Sequence, residues 1–185
     1  MQVRVKGGID LRWEGKPAET IDEEVAVRSA ALLGDDYPDL RPIFDAIEQG
    51  DFEAAAKLCI AQFTGRKPYW LYAARIGSEL LLRLGRHEEA RLLFEAILKA
   101  RAIPWAKLGV ARAQIEAGHP TRAVATLMGL IGEDPGYADA YDVLGRAQVA
   151  MGHFAEAIET YRTASELTPD SVVRLQKLGM MCYYM

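Results

Sequence analysis

At 185 residues, half of them hydrophobic and 26% charged, the chain is long enough to bury a core and has the balance of a soluble folded protein. No apolar run reaches the ~18 residues of a membrane span, and two cysteines cannot build a disulfide framework. The net charge of −4 is uneven: residues 1–50 carry 6 Lys and Arg against 11 Asp and Glu, residues 51–130 carry 12 against 7, and residues 131–185 carry 4 against 8. A basic middle between acidic ends points either to an acidic partner or to a solvated surface without one.

Residues 1–35 read as an extension to whatever follows. The opening MQVRVKGGIDLRW has no apolar core of signal-peptide length, so a cytoplasmic location is expected. Gln2–Lys6 and Ile9–Trp13 alternate around Gly7 and Gly8, which predicts a β-hairpin. Lys16-Pro17 breaks the chain. Glu19 to Leu33 then predicts a helix, with Ile21, Val25, Val27, Ala30 and Leu33 on it and Gly34 at its end, suited to cap a stack of further helices.

From residue 36 the chain keeps a rhythm. Gly50, Gly85, Gly118 and Gly152 are spaced by 35, 33 and 34 residues, and each is followed five residues later by an alanine: Ala55, Ala90, Ala123 and Ala157. A period in the low thirties marks a stacked repeat. Each copy holds two stretches with helical apolar spacing, as in Leu80, Leu81, Leu84 and then Ala90, Leu93, Phe94, Ile97. The glycine between them can adopt positive φ and end the first helix. The small alanine lets the second helix lie close against the first. Pro135 and Pro169 stop the second helix, and Asp170 or Ser171 is a suitable N-cap for the next.

The copy from Ala138 to Ser171 carries Tyr141, Leu144, Gly145, Gly152, Ala157, Tyr161, Ala164 and Pro169. In residue type and spacing these resemble the eight signature positions of the tetratricopeptide repeat. The copy over 104–137 keeps Gly118, Ala123, Leu127 and Pro135 but has Val110 and Ala111 at the Leu-Gly pair. The copy over 71–103 keeps Gly85, Ala90 and Phe94 and lacks the closing proline; that over 36–70 keeps Gly50 and Ala55; a partial fifth over 172–185 has Leu175, Leu178 and Gly179. The resemblance implies an all-α, right-handed superhelix of about four and a half repeats made of stacked antiparallel helix pairs. It implies a non-catalytic scaffold or adaptor that binds a protein or peptide.

In that family the first helix of each pair lines a concave groove through the second, fifth, ninth and twelfth repeat positions. Carried onto this sequence, these are Tyr72, Arg75, Glu79 and Leu82; Trp105, Leu108, Arg112 and Ile115; and Asp139, Asp142, Arg146 and Val149. Trp, Tyr and Arg dominate interface energetics. Arg75, Arg112 and Arg146 offer bidentate donors to carboxylates, so a peptide with acidic and apolar residues is expected. The alternative for Trp105 is simple packing against the neighbouring helix pair.

A second resemblance, to bacterial response regulators that join a receiver to such repeats, rests on Tyr37–Asp51 with Cys59, and on Gly8-Ile9-Asp10 followed by Lys16-Pro17. It implies the output half of a two-component regulator. The chain contains no asparagine, which excludes the asparagine-based clamp for chaperone C-termini. An RNA-binding helical repeat is the rival reading. The acidic overall charge and the glycine–alanine–proline pattern favour protein over nucleic acid.

No metal, cofactor or catalytic site is expected. His87, His119 and His153 each follow a repeat glycine and recur along one edge, at helix separations of ~8–10 Å, too far apart to share a zinc ion that needs nitrogens at ~2.0–2.1 Å. There is no Cys-x-x-Cys, phosphate loop or His-Glu-x-x-His. Cys59 and Cys182 read as reduced core residues. Leu175, Leu178, Met181, Cys182 and Tyr183 make the last helix apolar where an end repeat normally turns a polar face outward, so it is expected either to be continued by further chain or to self-associate.

Overall fold

The computed structural model describes residues 38–67 and 69–184. The hairpin and capping helix expected over residues 2–33, and the receiver-like residues 8–17, lie outside this range. A short 3-10 helix at Pro38–Leu40 leads into nine α-helices among the described residues: α1 (Arg41–Glu48), α2 (Phe52–Thr64), α3 (Trp70–Arg83), α4 (His87–Ala100), α5 (Pro104–Glu116), α6 (Pro120–Glu133), α7 (Ala138–Ala150), α8 (Phe154–Leu167) and α9 (Val172–Tyr184). Helices α3, α5, α7 and α9 start 34 residues apart.

The turn inside each pair is the same device four times. Gly50, Gly85, Gly118 and Gly152 have φ between +72° and +80°, a region closed to most L side chains. The residue after each glycine donates its N–H to the carbonyl five back: Asp51 to Ala46, Arg86 to Leu81, His119 to Gln114 and His153 to Gln148, at 2.8–2.9 Å. This is a Schellman closure, and it satisfies carbonyls that a helix end would leave unpaired. The chain then re-enters a helix at once, with the Asp51 carboxylate capping α2 through the Ala54 N–H at 2.9 Å.

The alanine five residues on is fully buried in all four pairs, at 0% exposure. Tighter contacts vary by repeat. A methyl at Gly145 would sit 2.7 Å from the Tyr161 ring of its own pair, whereas one at Gly109 would sit 2.3 Å from the ring of Phe94, in the preceding pair. Phe94 thus bridges two repeats where Tyr161 closes one.

Consecutive helices pack on one another along the whole series. First helices of successive pairs also touch, α3 with α5 and α5 with α7; second helices make no contact of comparable extent among the described residues. The first helices are therefore on the inside of the curve. The result is an all-α repeat superhelix. Its core runs along the axis, from Leu40, Ile43 and Phe44 through Leu80, Leu81, Phe94 and Ile97 to Leu127, Leu130 and Leu144. Burial of each such large side chain contributes about 1.5–3 kcal/mol before chain entropy is charged against it.

Candidate protein-binding groove

Four rows of side chains run along the inner face. The first holds Tyr72, Trp105 and Asp139. Tyr72 and Trp105 are half-buried and pack against the core, leaving part of each ring at the surface. Trp105 meets Phe94 edge-on, with centroids 6.4 Å apart and planes at 71°. The Arg75 guanidinium lies over the same ring, 5.1 Å from its centroid. Packing against the neighbouring pair and partial exposure therefore coexist at Trp105. The ring is held rigid by a T-shaped aromatic pair and a cation–π contact.

The middle of the groove is a ladder of ion pairs between successive first helices. Arg112 Nη1 donates to both carboxylate oxygens of Glu79 at 2.8 and 3.0 Å, tying α5 to α3. Arg112 is only 8% exposed, and Leu108 beside it is buried. Arg146 Nη2 donates to Glu116 Oε1 at 2.6 Å, tying α7 to α5. Arg174 continues the ladder to α9: it donates to Asp142 at 2.9 Å, to Asp139, and to the Thr168 hydroxyl at 2.9 Å. Lys177 stands 3.9 Å from Asp142. Each guanidinium that the sequence offers to a partner carboxylate thus has a partner within the protein. Glu116 and Arg174 escape the repeat alignment: Glu116 follows Ile115 and pairs at a spacing of 30 rather than the repeat period, and Arg174 lies in the incomplete copy.

Asp142 is the unusual rung. Its Oδ1 is buried with no hydrogen bond. Burial pushes its carboxyl above the usual aspartate range against the pull of Lys177 and Arg174. The fourth row, Leu82, Ile115 and Val149, is half-exposed and forms an apolar border to the ladder.

A family profile for the tetratricopeptide repeat matches residues 114–178, the stretch that holds α6, α7, α8 and half of α9. Over that stretch the sequence matches tetratricopeptide repeats. It is similar to mouse superkiller complex protein 3, at 31% identity over 104 residues, covering 55% of this chain and 7% of that protein. It is similar to Xenopus laevis tetratricopeptide repeat protein 37, at 25% over 104 residues, with the same coverage of both. The chain thus spans a small fraction of these relatives. Among solved structures, a tetratricopeptide repeat protein from Parabacteroides merdae superposes with a TM-score of 0.63 at 17% identity, covering 78% of this chain and 57% of that one. MamA from Desulfovibrio magneticus RS-1 superposes at 0.60 and 18% identity, covering 90% and 86%. At these identities the structures share the fold.

Outside the groove, the turns between paired helices hold the histidines. His87 opens α4, and His119 and His153 immediately precede α6 and α8. The His153 Nδ1 lies 3.0 Å from Glu156, one turn into its own helix. Among the described residues no group of three or more His, Cys, Asp or Glu is placed to hold a metal, and no helix is long and apolar enough to cross a membrane. Cys59 is buried beside Gly77, and burial pushes its thiol up to about 12. Cys182, expected in a core, is exposed instead. It lies on α9, which has nothing packed over its outer side among the described residues.

Proposed function

We propose that the inner face of α3, α5 and α7 binds an extended or helical segment of a partner protein, with Trp105 and Tyr72 as its anchors. The repeat fold is that of protein-interaction scaffolds, and what carries the reading to this face is Trp105. Its ring is partly exposed yet held by contacts to Phe94 and Arg75, so little side-chain freedom is lost when a partner covers it. The apolar border of Leu82, Ile115 and Val149 suits leucyl or aromatic side chains. Arg112 and Arg146 are already paired with Glu79 and Glu116, so a charged partner segment would have to displace one member of a rung, and apolar contacts rather than net charge select the segment. The ladder's balanced charge speaks against a phosphate-lined strand on this face. The resemblance over residues 37–59 supports a role as an output module of a bacterial regulator acting in the cytoplasm.

The test is affinity capture from a native lysate of the source cell, with wild type beside a Tyr72→Ala, Trp105→Ala variant of matched helicity and melting. A protein lost from the variant alone is the expected result. Identical captures by both would remove the groove from the account, and salt-dependent retention of RNA on a filter would replace it with the rival reading.

A second observation bears on assembly. No side chain described on α9 is buried; Val172, Leu175, Met180 and Tyr183 are 50–83% exposed, while Leu178 and Met181 are half-buried. We propose that this face joins two copies of the chain. Light scattering after size exclusion should give a dimer that Leu175→Glu with Tyr183→Glu reduces to monomer. A wild-type monomer at high concentration would refute it.

A further inference from the structure

The surplus positive charge of residues 51–130 does not spread over the surface. Arg86 and Arg91 are neutralised by Glu53, Glu89, Glu88 and Glu95, Lys107 by Glu133, and Arg112 by Glu79; Arg75 and Arg83 lie over the rings of Trp105 and Phe52. Much of what remains sits at one place, on the edge of the stack where α2 and α4 end: Arg66, Lys67, Lys99 and Arg101. Among the described residues neither Arg66 nor Lys99 has a carboxylate within ion-pair distance.

Cations at helix C-termini are ordinary, because they complement the helix dipole. The dipole does not account for what lies between them. The ends of α2 and α4 and the start of α3 enclose a recess of about 210 Å³ lined by Phe63, Trp70, Ala96 and Ala100, with Arg66 and Lys99 in its wall. The two rings lie 5.6 Å apart, tilted at 54°. The turn beside it is held in an unusual shape: Arg66 and Tyr69 have φ of +46° and +61°. Non-glycine residues in this region are uncommon, and such residues cluster at binding sites.

An apolar floor with a cationic wall recognises an apolar group that carries negative charge next to it. The volume is that of a single ring or leucyl group, since a cavity of ~150 Å³ already takes a benzene. A nucleic-acid strand needs a basic track several phosphates long. Here the basic cluster is four side chains at the ends of two helices, Arg66, Lys67, Lys99 and Arg101. We infer that this edge recess is a second peptide site, separate from the groove, that takes one aromatic or leucyl side chain flanked by Asp or Glu on a partner protein.

The probe is a fluorescein-labelled peptide of sequence Asp-Glu-Phe-Glu-Asp, followed by fluorescence anisotropy with the full chain. Arg66→Glu with Lys99→Glu should weaken binding by about tenfold or more, as loss of two charge contacts on this affinity scale implies. Ala96→Gln, which fills the recess from a partly buried helical position in its lining, should weaken it as well, and so should Phe→Ala in the peptide. Trp105→Ala should leave it unchanged. The inference falls if wild type does not bind, if charge reversal or loss of the peptide phenylalanine makes no difference, or if binding is lost with Trp105→Ala. It falls equally if an oligouridylate binds this edge more tightly than the peptide does.

Discussion

Gly109 and Gly129 are both helix-interior glycines, and their surroundings give them opposite values. At Gly109 an added methyl would lie 2.3–2.6 Å from three atoms of the Phe94 ring; at Gly129 it would meet nothing within 4 Å. Gly109→Ala should therefore destabilise by about 1–3 kcal/mol through overpacking, because Phe94 is fully buried and has no room to retreat. Gly129→Ala, on an exposed face of α6, should stabilise by about 0.5–1 kcal/mol through helix propensity. Thermal melts of the two variants check both signs. The cysteines offer a second contrast. With its thiol held protonated up to about 12 and buried, Cys59 should resist an aromatic disulfide reagent at pH 8 while Cys182 reacts. One thiol should titrate in the native protein and two in denaturant; two in the native protein would mean that the α2–α3 contact opens readily.

At the scale of elements, the ladder joins helices about one repeat apart in sequence, and its last rung is the least comfortable. A carboxyl whose folded value lies above its ordinary one binds its proton more readily in the folded state. Stability from Asp142 is then present in acid and is lost as pH rises from the ordinary aspartate value through the raised one. Replacing it by asparagine removes that slope. Denaturant unfolding across the carboxylate range should show Asp142→Asn gaining on wild type as pH rises; a variant that loses ground instead would show that the pairing with Arg174 outweighs desolvation. Elements also show where sequence is readable. The glycine turns and buried alanines are local: each needs only its own helix pair, so spacing reveals them. Trp105 and Tyr72 are assigned to the groove side only through the repeat positions of the family that the sequence resembles. Phe94 reaching into the next repeat, the Arg146–Glu116 pair and the edge recess each depend on which rotamer wins between separate helices. No periodicity encodes that choice, and Arg112, Arg146 and Arg75 accordingly look unpartnered in sequence while each is engaged in the fold.

For the whole molecule, the uneven charge acquires a location. The acidic C-terminal third is partly consumed in holding α9 through Arg174, while the basic middle leaves its surplus at the α2–α4 edge. A partner could approach the inner face and the edge independently. The stack in which each helix touches little beyond its immediate neighbours also fixes how it comes apart. Among the described residues no extensive contact closes the two ends on each other, so opening is a fraying front that moves inward, one hairpin at a time. Amide protons should therefore exchange in a gradient, fastest in α9, which buries none of its described side chains, and slowest in α4 to α6, which have a helix pair on either side. A single exchange rate shared by all nine described helices would mean that the stack opens as one unit, and that its ends feel each other after all.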